Sequence, residues 1–153
     1  MAYGPARFES ETEDSMSNRC CCAFNRTREC FLATELKIAD THWGRLIGLL
    51  GTSREKFSFG GGLWIIPCHG VHTLAMRFSI DVVYLDSEKT VVHVEENVKP
   101  WRIAPIHMEA ATVLELPSHV VWDTRTQIGD SIEILESAGQ ANGGDDERSQ
   151  ISN

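Results

Sequence analysis

The sequence predicts one mainly β domain of sandwich or barrel type, with a single short amphipathic helix near its N-terminal side. Three observations carry that prediction. Short runs rich in Val, Ile, Thr and aromatic residues recur between Gly, Pro, Asp and Ser punctuation. One of them, Ile80 to Asp86, is apolar on both faces, as a strand inside a sheet must be. Only Trp43, Leu46, Ile47 and Leu50 recur at the i, i+3, i+4, i+7 spacing of a helix.

The 153 residues suffice for one hydrophobic core and are too few for two. Residues 1–23 are polar, acidic and aperiodic, which predicts disorder. Residues 24–136 form the predicted β domain. Residues 137–153, rich in Gly, Ser and Asn, read as a flexible tail.

Within the domain, Glu29 to Ile38 alternates and predicts a strand, with Leu32, Leu36 and Ile38 on one face. Asp40 or Thr41 can cap the helix that follows, and Gly51 suits its left-handed end. Three glycines, Gly60 to Gly62, close the next loop. Leu63 to Ile66 is a short strand stopped by Pro67, and Val71 to Phe78 is extended. Ile80 to Asp86 turns at Ser87-Glu88-Lys89 and pairs back through Thr90 to Val98 as a hairpin. Pro100 and Pro105 frame an irregular crossing. Thr112 to Leu116, Val120 to Trp122 and Ser131 to Leu135 read as the last three strands.

The formal charge is −8, with much of the acid at the ends: Glu9, Glu11, Glu13 and Asp14, then Asp145, Asp146 and Glu147. That sign argues against nucleic acid and against an anionic membrane as partners. The start lacks a positively charged region followed by an apolar run, so no secretory signal is expected. Five cysteines, three of them adjacent (Cys20, Cys21, Cys22), make a poor disulfide framework and predict a reducing, cytoplasmic setting.

The run Pro67-Cys68-His69-Gly70-Val71-His72-Thr73-Leu74-Ala75-Met76-Arg77-Phe78-Ser79-Ile80-Asp81-Val82-Val83-Tyr84-Leu85-Asp86 resembles the core motif of the domain-of-unknown-function 192 family. Its flanks agree: Arg45 to Gly51, Glu96 to Arg102, Val113 to Pro117 and Gly129 to Ile132 resemble the family's other segments, in order, over roughly residues 25–136. The resemblance implies a compact, mainly β, sandwich-like domain. It implies no activity. His69 beside Cys68 departs from the pattern and enriches this chain in metal-capable groups.

Three constellations could carry chemistry. Cys68, His72 and Met76 are spaced as C-x3-H-x3-M, and thiolate, imidazole and thioether are soft copper ligands. His42, His107 or His119 could add a second imidazole. In a regular strand, residues four apart are separated by roughly 13 Å, so joint ligation needs a bend, which Gly70 could supply. The alternative places His72, Leu74 and Met76 on one core face. Second, Cys68 could act as a nucleophile with His69 or His72 as base and Asp81 or Glu115 orienting it; the alternative is an inert thiol. Third, Asp81 could anchor a small ligand at a pocket lined by Trp64, Met76, Trp101 and Trp122, with Arg77, Arg102 and Glu115 nearby. Alternatively Asp81 pairs with Arg77 or accepts backbone N–H groups between strands, and Glu115 invites the same choice. Cys20, Cys21 and Cys22 with Cys30 lack zinc-finger spacing and read as incidental.

The leading reading is a non-catalytic domain that binds a small ligand or a protein partner around Cys68 to Met76 and Asp81. Behind it stand a copper- or zinc-binding protein using Cys68, His72 and Met76, and a hydrolase-like enzyme using Cys68.

Overall fold

Seven strands hydrogen-bond into one sheet, and the computed structural model describes residues 17–40, 57 and 60–136. The strands are β1 (Ser17–Asn25), β2 (Cys30–Ala39), β3 (Gly61–Ile65), β4 (Ile80–Leu85), β5 (Val91–Val98), β6 (Thr112–Pro117) and β7 (Ile132–Glu136). One short helix, α1 (Val120–Thr124), lies between β6 and β7. The order across the sheet is β5-β4-β6-β3-β2-β1-β7, and it curls into a half-barrel. Only β2 and β3 run parallel; every other neighbouring pair is antiparallel.

The predicted central strand is β4, buried at every position between β5 and β6. Its side chains alternate between two cores. Val83 and Leu85 join Leu36, Leu114 and Leu116 on one face. Val82 and Tyr84 join Leu63, Ile65 and Val113 on the other. The β4–β5 hairpin turns where expected because Asp86 accepts the N–H groups of Glu88 (2.9 Å) and Thr90 (2.8 Å) through one carboxylate oxygen. Lys89, at φ 67°, completes the reversal.

The structure corrects three expectations. Residues 17–23, assigned to a disordered end, are part of β1, which pairs with both β2 and β7. The physical reason is that cysteine behaves as a small buried hydrophobe. Cys21 and Ala23 point into the core while Cys22 is half-buried. Val120 to Trp122 is helical rather than extended: His119 (φ 76°) and Arg125 (φ 54°) are left-handed at its two ends and confine it to little more than one turn. Val71 to Phe78 is not a regular strand; it makes one isolated bridge, His72 to Ile103. The expected helix from Trp43 to Leu50, residues 1–16 and residues 137–153 lie outside the described residues.

A buried polar corner ties the end of β1 to the segment before β7. Asn25 Nδ2 donates to Asp130 (3.0 Å) and to Thr126 (3.1 Å), and Arg28 Nε donates to Asp130 (3.0 Å). Burial opposes ionisation of Asp130, yet these bonds and the Gln127 N–H hold its carboxyl below the usual range. No helix among the described residues is long and apolar enough to cross a membrane.

At Gly62, β3 packs closely on side chains of its neighbours. A Cβ there would sit 2.9 Å from Ala33 Cβ and 3.0 Å from Leu36 Cδ1, both in the packed core. Gly62→Ala is therefore expected to destabilise by about 1–3 kcal/mol through overpacking. A urea midpoint unchanged from the parent would show that the core relaxes around the methyl.

Candidate functional site

Asp81 is fully buried on β4, and both carboxylate oxygens are engaged. The N–H of Asn97 donates to Oδ1 and the N–H of Val121 to Oδ2, each at 2.9 Å. One carboxylate thus pins the end of β5 and the first turn of α1 to the sheet. Of the two roles expected for Asp81, this is the structural one. Arg77 is not its partner: it is exposed and lies in a cleft.

That cleft has a volume of about 790 Å³ and runs between β2, the chain entering β4, and α1. Phe31, Phe57 and Phe78 form its apolar wall, with Phe57 and Phe78 stacked at 5.6 Å. Arg77, His119 and Asp123 supply polar groups. Asn97 and Val120 also line it, so the two segments that Asp81 anchors, or their direct neighbours, shape the wall.

Thr73, which sequence reasoning passed over, positions Trp101 and Arg102. Its buried hydroxyl donates to Lys99 O (2.7 Å) and accepts the Arg102 N–H (2.9 Å). Its own carbonyl accepts the Trp101 N–H (2.9 Å). Trp101 is left-handed (φ 62°) and 68% exposed. Trp64 and Trp122 do not lie with Met76. Trp64 packs on the core that holds Leu36, Met76 lies in the opposite core, and Trp122 projects from α1 at 74% exposure.

Cys68 and Met76 adjoin the same core, and His72 sits at the bridge to Ile103. Cys68 Sγ donates to Gly70 O (3.0 Å). The ring of His69 bonds Ala110 O. The buried Nδ1 of His72 is without a hydrogen-bond partner. Met76 is buried in the second core, and Cys68 packs against that core. His42 lies outside the described residues. Cys22 donates to Leu135 O and Cys30 to Thr124 O, and burial raises the Cys30 thiol. Cys30 is therefore not placed as a reactive thiolate.

Glu115 belongs to a polar patch that the sequence did not disclose. Strand register puts Tyr84, His93, Glu95 and Glu115 on one face, since Tyr84 pairs with His93 and Val82 pairs with both Glu95 and Glu115. Burial pushes the Glu115 carboxyl up to about 8, so it is largely protonated at neutral pH. Burial, then Glu95, Cys68 and Glu115, push the Tyr84 phenol up. His107 reaches the same patch from the crossing loop, its N–H held by His69 O at 2.7 Å. The ligand-capable atoms of His93, Glu95 and His107 all lie within 4.8 Å of one another. The overlooked signal was the i, i+2 spacing of His93 and Glu95, which puts both on one face of a strand.

A model of the family DUF192, described as an uncharacterized ACR, matches residues 23–134. A UPF0127 protein of Thermococcus sibiricus is 31% identical over 114 residues, covering 71% of either chain. A UPF0127 protein of Pyrococcus furiosus is 28% identical over 114 residues, 71% of this chain and 94% of its own. Among solved structures, a Sinorhizobium meliloti protein superposes with a TM-score of 0.64 at 22% identity, covering 79% of this chain and 96% of its own. A protein of unknown function from Novosphingobium aromaticivorans superposes with a TM-score of 0.63 at 15% identity, covering 74% and 83%. At these identities the two structures show the fold alone.

Proposed function

The chain belongs to the DUF192 family, whose function is uncharacterised, and from that premise we propose that it is a small-ligand-binding domain whose site is the cleft beside Arg77. The observation that carries the reading is the cleft's combination of size and lining. Its volume of about 790 Å³ falls within the range of small-molecule sites. An aromatic wall with a few polar groups is the usual lining of such sites. Arg77 is the cation at its rim, and a guanidinium recognises carboxylate or phosphate groups. The favoured ligand is a small molecule with an apolar body and one anionic group. The site overlaps the sequence expectation at Arg77 and shifts the ligand from Asp81 itself to the cleft that Asp81 braces.

The test is thermal melting of the full chain against a panel of small carboxylates and phosphorylated metabolites. A ligand at a hundredfold over its Kd stabilises by roughly 2.7 kcal/mol, which moves the midpoint by several degrees. Arg77→Ala should leave the unliganded midpoint within about 0.5 kcal/mol, because the residue is exposed, and should abolish the shift. A shift that persists in Arg77→Ala and in Phe78→Ala would place the ligand elsewhere. A flat panel would overturn the reading in favour of a protein partner.

A further inference from the structure

We propose that His93, Glu95 and His107 form a binding site for one divalent transition-metal ion of the zinc type. The site lies on the second core's side of the sheet and is independent of the cleft. Two of its ligands come from one strand face and the third from the loop folded over that face.

The geometry leaves room for an ion between these groups. Nε2 of His93 and Nε2 of His107 each stand 3.8 Å from the same oxygen, Oε1 of Glu95. That separation is too long for a hydrogen bond. Glu95 Oε1 and His107 Nε2 are also buried and have no hydrogen-bond partner. Buried polar atoms without partners are uncommon in native proteins, and an ion is one of the standard explanations. Zinc binds imidazole nitrogen at about 2.0–2.1 Å and carboxylate oxygen at about 2.0–2.2 Å. Two donors on one tetrahedral ion then lie about 3.4 Å apart. The two histidine–Glu95 separations therefore need to close by a few tenths of an ångström, and the His93–His107 separation by no more than about 1.4 Å.

Neighbouring rings crowd the ligands, and His93 and His107 must turn out of their near-parallel stack for both in-plane lone pairs to reach one ion. The imidazoles of His93 and His107 stack at 3.9 Å between centroids. Tyr84, fully buried, packs edge-on against His107 at 4.5 Å and tilted against His93 at 5.6 Å. Its hydroxyl has no hydrogen-bond partner either, and the same holds for Oε2 of Glu115, which is 3% exposed. These two residues are an independent sign that the patch serves a polar occupant rather than packing alone.

The donor set selects the ion. Two imidazoles and a carboxylate suit zinc and its first-row neighbours, whereas calcium and magnesium prefer all-oxygen sites and copper(I) prefers sulfur. Three protein ligands leave a coordination position open, as in zinc sites that bind water or substrate.

The test uses the full chain, stripped with chelator and kept reduced, titrated with Zn²⁺ by calorimetry. The expected result is one equivalent bound, unaffected by excess Mg²⁺ or Ca²⁺. Glu95→Gln, close in shape to the parent side chain, and His107→Gln should each weaken that binding by more than about a hundredfold. Loss of even an outer partner of a metal ligand costs 10–100-fold. Zn²⁺ should raise the melting midpoint of the parent and not of either variant; circular dichroism checks that both variants fold. Failure to bind Zn²⁺ would overturn the proposal and leave a proton or a water as the occupant. Binding of equal affinity in both variants would overturn it too, by assigning the ion to the cysteines. Neither outcome touches the cleft reading, which is read through Arg77.

Discussion

Asp81→Ala is expected to destabilise the domain by about 3–5 kcal/mol, because it strands two buried backbone N–H groups at once. Each bond to the carboxylate is 2.9 Å long, and Asp81 is fully buried. An unsatisfied buried donor costs roughly 1–3 kcal/mol, and a bond to a charged group contributes roughly 1.5–3 kcal/mol. Asp81→Asn keeps one acceptor and turns an NH₂ toward the other amide, so a loss of about 2 kcal/mol is expected. Urea unfolding at pH 7 checks both values. A loss below about 1 kcal/mol in Asp81→Ala would mean that water or a backbone shift satisfies Asn97 and Val121, and that Asp81 is not the strut it resembles. The consequence reaches the cleft: with Asp81 gone, the end of β5 and the start of α1 lose the tether that sets the wall on that side.

The fold was legible where side chains alternate or where chemistry marks a turn. Ile80 to Asp86 is apolar on both faces because β4 sits between β5 and β6 with a core on each side. The Asp86 turn and the β2 alternation are local signals of the same kind. What misled was context. Cys20 to Ala23 follows a run of acids, and only pairing with β2 and β7 turns those small apolar residues into an internal strand. Val120-Val121-Trp122 has β propensity, yet the left-handed residues on either side and the bond from Val121 N–H to Asp81 hold it as a helical turn. Propensity is a weak guide when a tertiary contact opposes it.

The site was legible residue by residue but not as a constellation. Asp81, Arg77 and Glu115 are legible as polar residues in the motif and its flank; the partners of Asp81 and the burial of Glu115 are not. Nothing local links Asp81 to Val121, or Thr73 to Lys99 and Arg102. The C-x3-H-x3-M spacing drew attention to Cys68, His72 and Met76, but the segment bends and bridges instead of running as a strand. Met76 goes into the core, and among the described residues His93, Glu95 and His107 converge from β5 and the crossing loop. His107 entered the sequence reading only as a possible fourth ligand to a different set.

Glu115→Gln is expected to stabilise the metal-free domain at alkaline pH and to change little in acid. Glu115 is 3% exposed, faces Val82 and Leu63 across its neighbouring strands, and its carboxyl is pushed up by burial to about 8, from 4.5. The unfolded chain therefore sheds this proton at lower pH than the folded one. Between about pH 4.5 and 8 the unfolded state binds fewer protons, so stability falls as pH rises. The contribution is complete below 4.5 and gone above 8. A tenfold change in proton affinity corresponds to roughly 1.4 kcal/mol, which puts the ceiling near 5 kcal/mol and makes a few kcal/mol a sound expectation. Gln keeps the volume and removes the titration. In chelator-treated protein, the urea stabilities of parent and Glu115→Gln should coincide at pH 4 and separate progressively toward pH 9, with the variant the more stable. Parallel curves across that range would show that the Glu115 carboxylate finds a partner or water when ionised. Asp81 is braced by two backbone amides, whereas Glu115 is expected to remain buried only because it stays neutral.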